Sequence, residues 1–271
     1  MISRKLAALL NSGTVVDTHA HIGLCDGRPE DIVARAAASG VERILTVGLD
    51  EDSNREAVRL AREHEGVFAA VGRHPNSAAG FDERADADLR ELAADPAVVA
   101  VGETGLDYFR KGAPREDQLR AFRAQIAIAR ELEKPLVIHM RSGEGPDRDA
   151  VGEALALLAA EAVGMRVILH CYSAPPERVA DAAAQGWFCS FAGNVTYPKS
   201  ERLREAARLV PAELILVETD APFLAPQSRR GRRNEPALVV ETAREVAAAR
   251  GSSDDEFARL VKANARRVFG W

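Results

Sequence analysis

Short apolar runs recur along the chain, and most are followed by a polar stretch in which apolar residues return every three or four positions. The runs at 14–17, 43–47, 68–71, 98–101, 136–138, 166–169, 187–190 and 214–217 are too short for helices and predict eight strands. The Ala/Glu/Arg-rich stretches between them, such as 30–39, 53–65, 115–133 and 149–161, keep their apolar positions on one face and predict amphipathic helices. Eight strand–helix units in 271 residues fit one domain, 1–271, folded as an α/β (β/α)8 TIM-type barrel, whose usual length is roughly 250 residues. An open doubly wound sheet is the alternative. Against it, no Gly-x-Gly-x-x-Gly follows the first strand, and the sequence holds no P-loop.

Polar residues punctuate the ends of these strands. Asp17-Thr18-His19-Ala20-His21 closes the first, and side chains two apart on a strand point the same way, so His19 and His21 form half a metal site with Asp17 behind to orient a ring nitrogen. His74 follows the third strand, Glu103 the fourth, His139 the fifth, His170 the sixth and Asp220 the eighth. Five of the six histidines thus fall where a barrel builds its active site, and only His64 lies inside a predicted helix. Alternation puts Val99, Val101 and Glu103 on one strand face. The ligand chemistry suggests two divalent ions, one on His19, His21 and Asp220, the other on His139 and His170, with Glu103 bridging. A bridging carboxylate holds such a pair roughly 3.5–4 Å apart, and a shared water then loses a proton near neutral pH, which Asp220 can accept.

Composition narrows the partners. A net charge of −5 excludes a protein that coats nucleic acid through a broad basic surface, so phosphate recognition must be local. The apolar run at 6–10 is too short for a membrane span and lacks a cleavage pattern, and no membrane association is expected. Cys25, Cys171 and Cys189 form no Cys-x-x-Cys, which suits a reducing cytoplasm and leaves no thiolate cage. No motif points to an obligate protein partner.

The strand-end motifs resemble the TatD family of metal-dependent deoxyribonucleases, within the amidohydrolase-like barrels. The resemblance spans the chain and rests on Asp17-Thr18-His19-Ala20-His21, Val71-Gly72-Arg73-His74-Pro75, Gly102-Glu103-Thr104-Gly105-Leu106-Asp107-Tyr108, Lys134-Pro135 before His139, and His170-Cys171-Tyr172-Ser173. It closes with Glu218-Thr219-Asp220-Ala221-Pro222-Phe223-Leu224-Ala225-Pro226 and Arg230-Gly231-Arg232-Arg233-Asn234-Glu235-Pro236. It implies two divalent ions (Zn, Mg or Mn) on His19, His21, Glu103, His139, His170 and Asp220, and 3′-5′ exonucleolytic hydrolysis of DNA phosphodiesters, preferably in single strands. Arg73, Asn76 and Ala174 depart from the family's usual pattern at the border of the site, which bears on substrate choice more than on chemistry.

The expected catalytic residues are Asp220, Glu103 and His74. Substrate contacts are expected from His74, Arg73, Arg230, Arg232, Arg233 and Tyr172. His74 fills neither coordination set and would donate to a phosphate oxygen or the leaving group, or else only fix the turn at Pro75. Asp107 could orient a histidine, bind a substrate hydroxyl or cap a turn, and Glu218 is expected to sit behind a ligand. Arg229 to Arg233 would track phosphates or form a solvated loop with Asn234 capping the next helix. Of Tyr108, Phe109, Tyr172, Phe191 and Phe223, one or two could stack on bases. The same activated water could attack a carbonyl carbon, so an ester or amide hydrolase such as a D-aminoacyl-tRNA deacylase is the alternative activity. No lysine sits at a predicted strand end to supply a carbamate bridge. A non-catalytic barrel with structural ions is a third reading.

Overall fold

All eight predicted strands are present, and they pair in parallel in a single sheet whose order is the order of the sequence. A computed structural model describes residues 14–271, so the apolar run at 6–10 lies outside the described residues. The strands are β1 (Val15–Ala20), β2 (Val41–Val47), β3 (Val67–Val71), β4 (Val98–Asp107), β5 (Leu136–Arg141), β6 (Val167–Leu169), β7 (Phe188–Phe191) and β8 (Ile215–Val217). Helices connect them, as parallel neighbours require, and cover the sheet so that its strands are buried on both faces. The last strand returns to the first: Asp220 N–H donates to His19 O at 2.9 Å and His21 N–H to Ala221 O at 2.7 Å. The result is the (β/α)8 TIM-type barrel.

Local chemistry sets the helix ends. Helix Glu51–Glu63 starts on a capping box between Asp50 and Ser53, and helix Asp254–Phe269 on one between Ser253 and Glu256. Helix Arg115–Glu131 turns Phe122, Ile126 and Ala129 to the barrel, but also Gln118 and Gln125. Those two amides, polar residues on an apolar stripe, serve the site. Gln125 Oε1 accepts from Arg73 N–H at 2.7 Å, and Gln118 Oε1 accepts from Asp107 N–H at 2.8 Å. Asn54, likewise buried, donates to Gly72 O and accepts from Gly72 N–H. Among the described residues no helix is long and apolar enough to cross a membrane.

The largest difference from the sequence expectation lies in β4, which runs past the apolar residues to Asp107. Its pairing with β5 shifts register between Val101 and Thr104, a bulge at Gly102 and Glu103. The simple alternation expected through Val99, Val101 and Glu103 is therefore interrupted. Gly102 has φ +144°, and a Cβ there would stand 2.4 Å from Val137 O, so only glycine fits where the strand re-aims Glu103.

Candidate metal centre

The C-terminal ends of the strands bring His19, His21, Glu103, His139, His170 and Asp220 to one place. Glu103 is buried at its centre, and its two oxygens face different partners. Oε2 lies 3.3 Å from His19 Nε2 and 3.6 Å from His21 Nε2. Asp220 Oδ1 stands 3.6 Å from the same His21 nitrogen, and the two Nε2 atoms are 3.3 Å apart. Oε1 lies 2.7 Å from His139 Nδ1, 3.2 Å from His170 Nε2 and 3.6 Å from His74 Nε2. One carboxylate thus divides two sets of imidazoles.

The partners behind the rings fix which nitrogens face the centre. His21 Nδ1 is 2.8 Å from Val47 O, which can only accept, so a proton sits there and Nε2 is the nitrogen turned to the centre. His170 Nδ1 donates to Glu218 Oε1 at 2.9 Å, an oxygen that also accepts from Cys171 N–H at 2.8 Å. His139 Nε2 is 3.3 Å from Asp107 Oδ2, while Asp107 Oδ1 accepts from Phe109 and Arg110 N–H, so Asp107 both orients a histidine and caps its turn. Nε2 of His21 and of His170 then face the oxygens of Glu103, the atoms whose lone pairs become available to a divalent ion once their protons leave, and among the described residues no lysine or arginine ion-pairs with Glu103 or Asp220. Imidazole nitrogens and carboxylate oxygens converging without a cation of the protein's own are a donor set fitted to divalent metal.

Electrostatics agree with that convergence. Burial disfavours a charged Glu103, but the His170 charge and hydrogen bonds from His139, His170 and His19 outweigh it and hold the carboxyl well below its usual range. Burial likewise opposes charge on Asp220, and the bond from His21 prevails to lower it. His170 and His139 are raised against burial by the carboxylates around them. His74 is the exception: burial pushes it down to about 4, so it is neutral at pH 7. Its Nδ1 accepts from Asn76 N–H at 3.1 Å, which places the ring proton on Nε2, facing the centre.

Several residues stand elsewhere than expected. Among the described residues Asp17 hydrogen-bonds to no imidazole: its oxygens accept from Thr219 N–H, Thr219 Oγ1–H and His19 N–H, the donors nearest a buried carboxylate between β1 and the end of β8. Burial raises Asp17 to about 8 despite those bonds. His19 Nδ1 has no partner among the described residues. Asn234 caps no helix; its side chain donates to Thr219 O and Phe223 O and so braces the turn that carries Asp220. Asp220 itself is in the left-handed region, φ +55°, which Asp and Asn tolerate better than most residues.

Of the expected substrate contacts, His74 faces the centre. Arg73 is buried and ion-paired with Glu51, because its backbone is tied to Gln125 and its side chain turns outward over Phe81. Tyr172 is 2% exposed and packs on Phe191, so it has no free face for a base. Arg233 pairs with Asp26 and donates to Leu24 O, Arg230 lies over Tyr197, and Arg232 is exposed. Tyr108 and Phe191 are also buried, whereas Phe109 and Phe223 are 52% and 42% exposed, Phe223 standing edge-on to His21. Sequence reasoning passed over Gln118, Gln125 and Asn54, whose signal was an amide on an otherwise apolar helix face.

Glu218→Gln tests the support behind His170. It removes the charge that the ring proton faces, and outer partners of this kind are worth about 10–100-fold in metal affinity. A loss of that size is expected in a competition titration against a chelator, and an unchanged affinity would assign Glu218 a packing role only.

The comparisons with known proteins agree with this geometry. Residues 16–270 match a family model described as TatD related DNase. The chain is 40% identical over 265 residues to an uncharacterized metal-dependent hydrolase, TatD, of Mycobacterium tuberculosis, covering 94% of this chain and 98% of that protein. It is 36% identical over 258 residues to the uncharacterized metal-dependent hydrolase YabD of Bacillus subtilis, covering 93% and 98%. A 3′-5′ ssDNA/RNA exonuclease TatD of Erwinia amylovora is 34% identical over 247 residues, covering 89% and 93%. In structure, the chain resembles the TatD homologue YjjV of Escherichia coli K12 with a TM-score of 0.87 at 24% identity, covering 95% and 98%, a likeness of fold.

Proposed function

The chain belongs to the TatD-related DNase family and is a metal-dependent hydrolase, and from that premise we propose that it hydrolyses phosphodiester bonds of DNA from the 3′ end, preferring single strands. The observation that carries the reading is the division of Glu103 between His19 and His21 on one oxygen and His139 and His170 on the other. Two divalent ions (Zn, Mg or Mn) held by these residues and Asp220 would supply an activated water and neutralise charge on the phosphoryl oxygens. The protein's own groups do the rest. Asp220, ionised at the rim, takes the proton of the attacking water. His74, neutral and with its proton on Nε2, donates to a phosphate oxygen or to the leaving oxygen. Asp107 and Glu218 keep His139 and His170 in the tautomers their roles need. The name of the Erwinia relative supports the choice of nucleic acid and the direction of attack.

One feature favours a second reading. A cavity of about 260 Å³ opens beside His21, walled by Leu24, Val47, Leu49 and Leu60 with Asp52 and Glu56 at its edge. Glu56 is paired with Arg59, but the Asp52 carboxylate disfavours phosphate, and the apolar walls suit the side chain of an acyl group carrying an ammonium, as in an aminoacyl ester. The deciding experiment is a substrate panel on apoprotein reconstituted with Zn, Mg or Mn singly. Labelled single-stranded oligonucleotides are expected to shorten from a free 3′ end and to persist when that end is blocked. Turnover of D-aminoacyl-tRNA or small esters with intact oligonucleotides would replace this reading by the deacylase.

A further inference from the structure

The catalytic mouth carries a cation that no motif reasoning singled out. Arg141 ends β5, two residues beyond His139 on the same side of the strand, while Met140 between them is buried on the other. The β4–β5 register pairs Gly105 with His139 and Asp107 with Arg141, so Arg141 stands one step outward from the histidine. Its charge is felt at the Cys171 thiol, which also feels Asp220 and Glu103.

Arg141 is not neutralised. Asp107, the carboxylate beside it, is already occupied by His139, by two backbone N–H groups and by Asn76 Nδ2. Among the described residues the guanidinium has no ion pair; its contact is the ring of Phe109, with Cζ 4.0 Å from the centroid. Several arginines of this acidic chain are paired, among them Arg55 with Asp88, Arg115 with Glu153 and Arg73 with Glu51. Phe109 is 52% exposed, and Arg110 and Lys111, next in the same loop, are exposed. Among the described residues neither has an ion pair, and both line a surface cavity of about 400 Å³ together with Asp107, Arg115, Asp147 and Arg148. A free guanidinium, an exposed ring and two further cations in sequence make a path for alternating phosphates and bases. The arginine loop at 229–233 is partly spent, with Arg233 held by Asp26 and Arg230 lying over Tyr197.

We propose that Arg141 binds the phosphate next to the scissile one, that Phe109 stacks on the adjoining base, and that a single strand leaves the site over Arg110 and Lys111. This rests on the phosphodiesterase reading above. The guanidinium plane and the ring together suit a single strand, whose bases are free to stack, better than a duplex.

The test compares metal-loaded wild type with Arg141→Gln, Arg141→Lys and Phe109→Ala on a labelled single-stranded decanucleotide and on bis(p-nitrophenyl) phosphate, a diester with no neighbouring phosphate. For Arg141→Gln, KM for the oligonucleotide is expected to rise roughly tenfold while kcat moves little, and kcat/KM to fall at least about tenfold more on the oligonucleotide than on the small diester. The plot of log(1/KM) against log[salt] should become shallower by about 0.7, the value for one phosphate contact on a single strand. Arg141→Lys should restore the salt slope with only part of the affinity, and Phe109→Ala should raise KM about fivefold or more. Equal losses on both substrates, or a wild-type salt slope in Arg141→Gln, would overturn the proposal. If wild type cleaves the small diester and no oligonucleotide, the chemistry stands and the strand path falls. If it cleaves no phosphodiester, both readings fall. Thermal unfolding of each variant guards against a folding defect.

Discussion

Glu103→Gln is expected to abolish nearly all hydrolysis, lowering kcat/KM roughly a thousandfold or more, which corresponds to the several kcal/mol a metal site contributes to the transition state. The size follows from position: one carboxylate serves both imidazole sets, Oε2 toward His19 and His21, Oε1 toward His139 and His170. An amide keeps the shape but presents an NH2 to one set and a neutral oxygen to the other. Elemental analysis should find less bound metal, and the rise in unfolding temperature on adding metal should shrink, because ligand binding stabilises in proportion to its affinity. Activity within tenfold of wild type would mean that the two sets do not depend on a shared carboxylate.

Asp220→Asn is the second large effect. Its left-handed backbone suits asparagine, and Asn234 braces the turn, so the fold should be retained. The acceptor for the proton of water is lost, and kcat should fall about 10²–10⁴-fold with KM nearly unchanged. The pattern separates Asp220 from Arg141, whose loss is expected in KM. Full metal-dependent turnover by Asp220→Asn would show that another group takes the proton. Measuring both constants on the same oligonucleotide, with metal content determined for each preparation, distinguishes a lost base from a lost ion.

The strand ends were legible because their chemistry violates their surroundings. A histidine or carboxylate directly after a run of Val, Ile and Leu has no reason to be there in a core, and barrels gather such residues at one mouth. His19, His21, His139 and His170 could be found this way. Glu103 was found at the right place for an incomplete reason, since the bulge at Gly102 and not simple alternation aims it.

Residues that act through direction were not legible. Tyr172 and Arg73 sit beside site residues in the sequence, yet one turns into the core and the other out to Glu51. Arg141 and Phe109, 32 positions apart in the numbering, become a pair only because β4 and β5 are neighbours in register. Gln118 and Gln125 looked like irregularities in a helix stripe until the loops they hold were placed above them.

By itself, then, the sequence determined the eight strand–helix units, the closed barrel they imply and the ionisable groups at its mouth, because hydrophobic periodicity and residue chemistry are local properties. Tertiary structure alone decided which oxygen of Glu103 faces which imidazole, which ring nitrogens turn to the centre and that Arg141 is left without an ion pair. Those depend on distances between groups far apart in the chain, and on whether a neighbouring carboxylate is already taken.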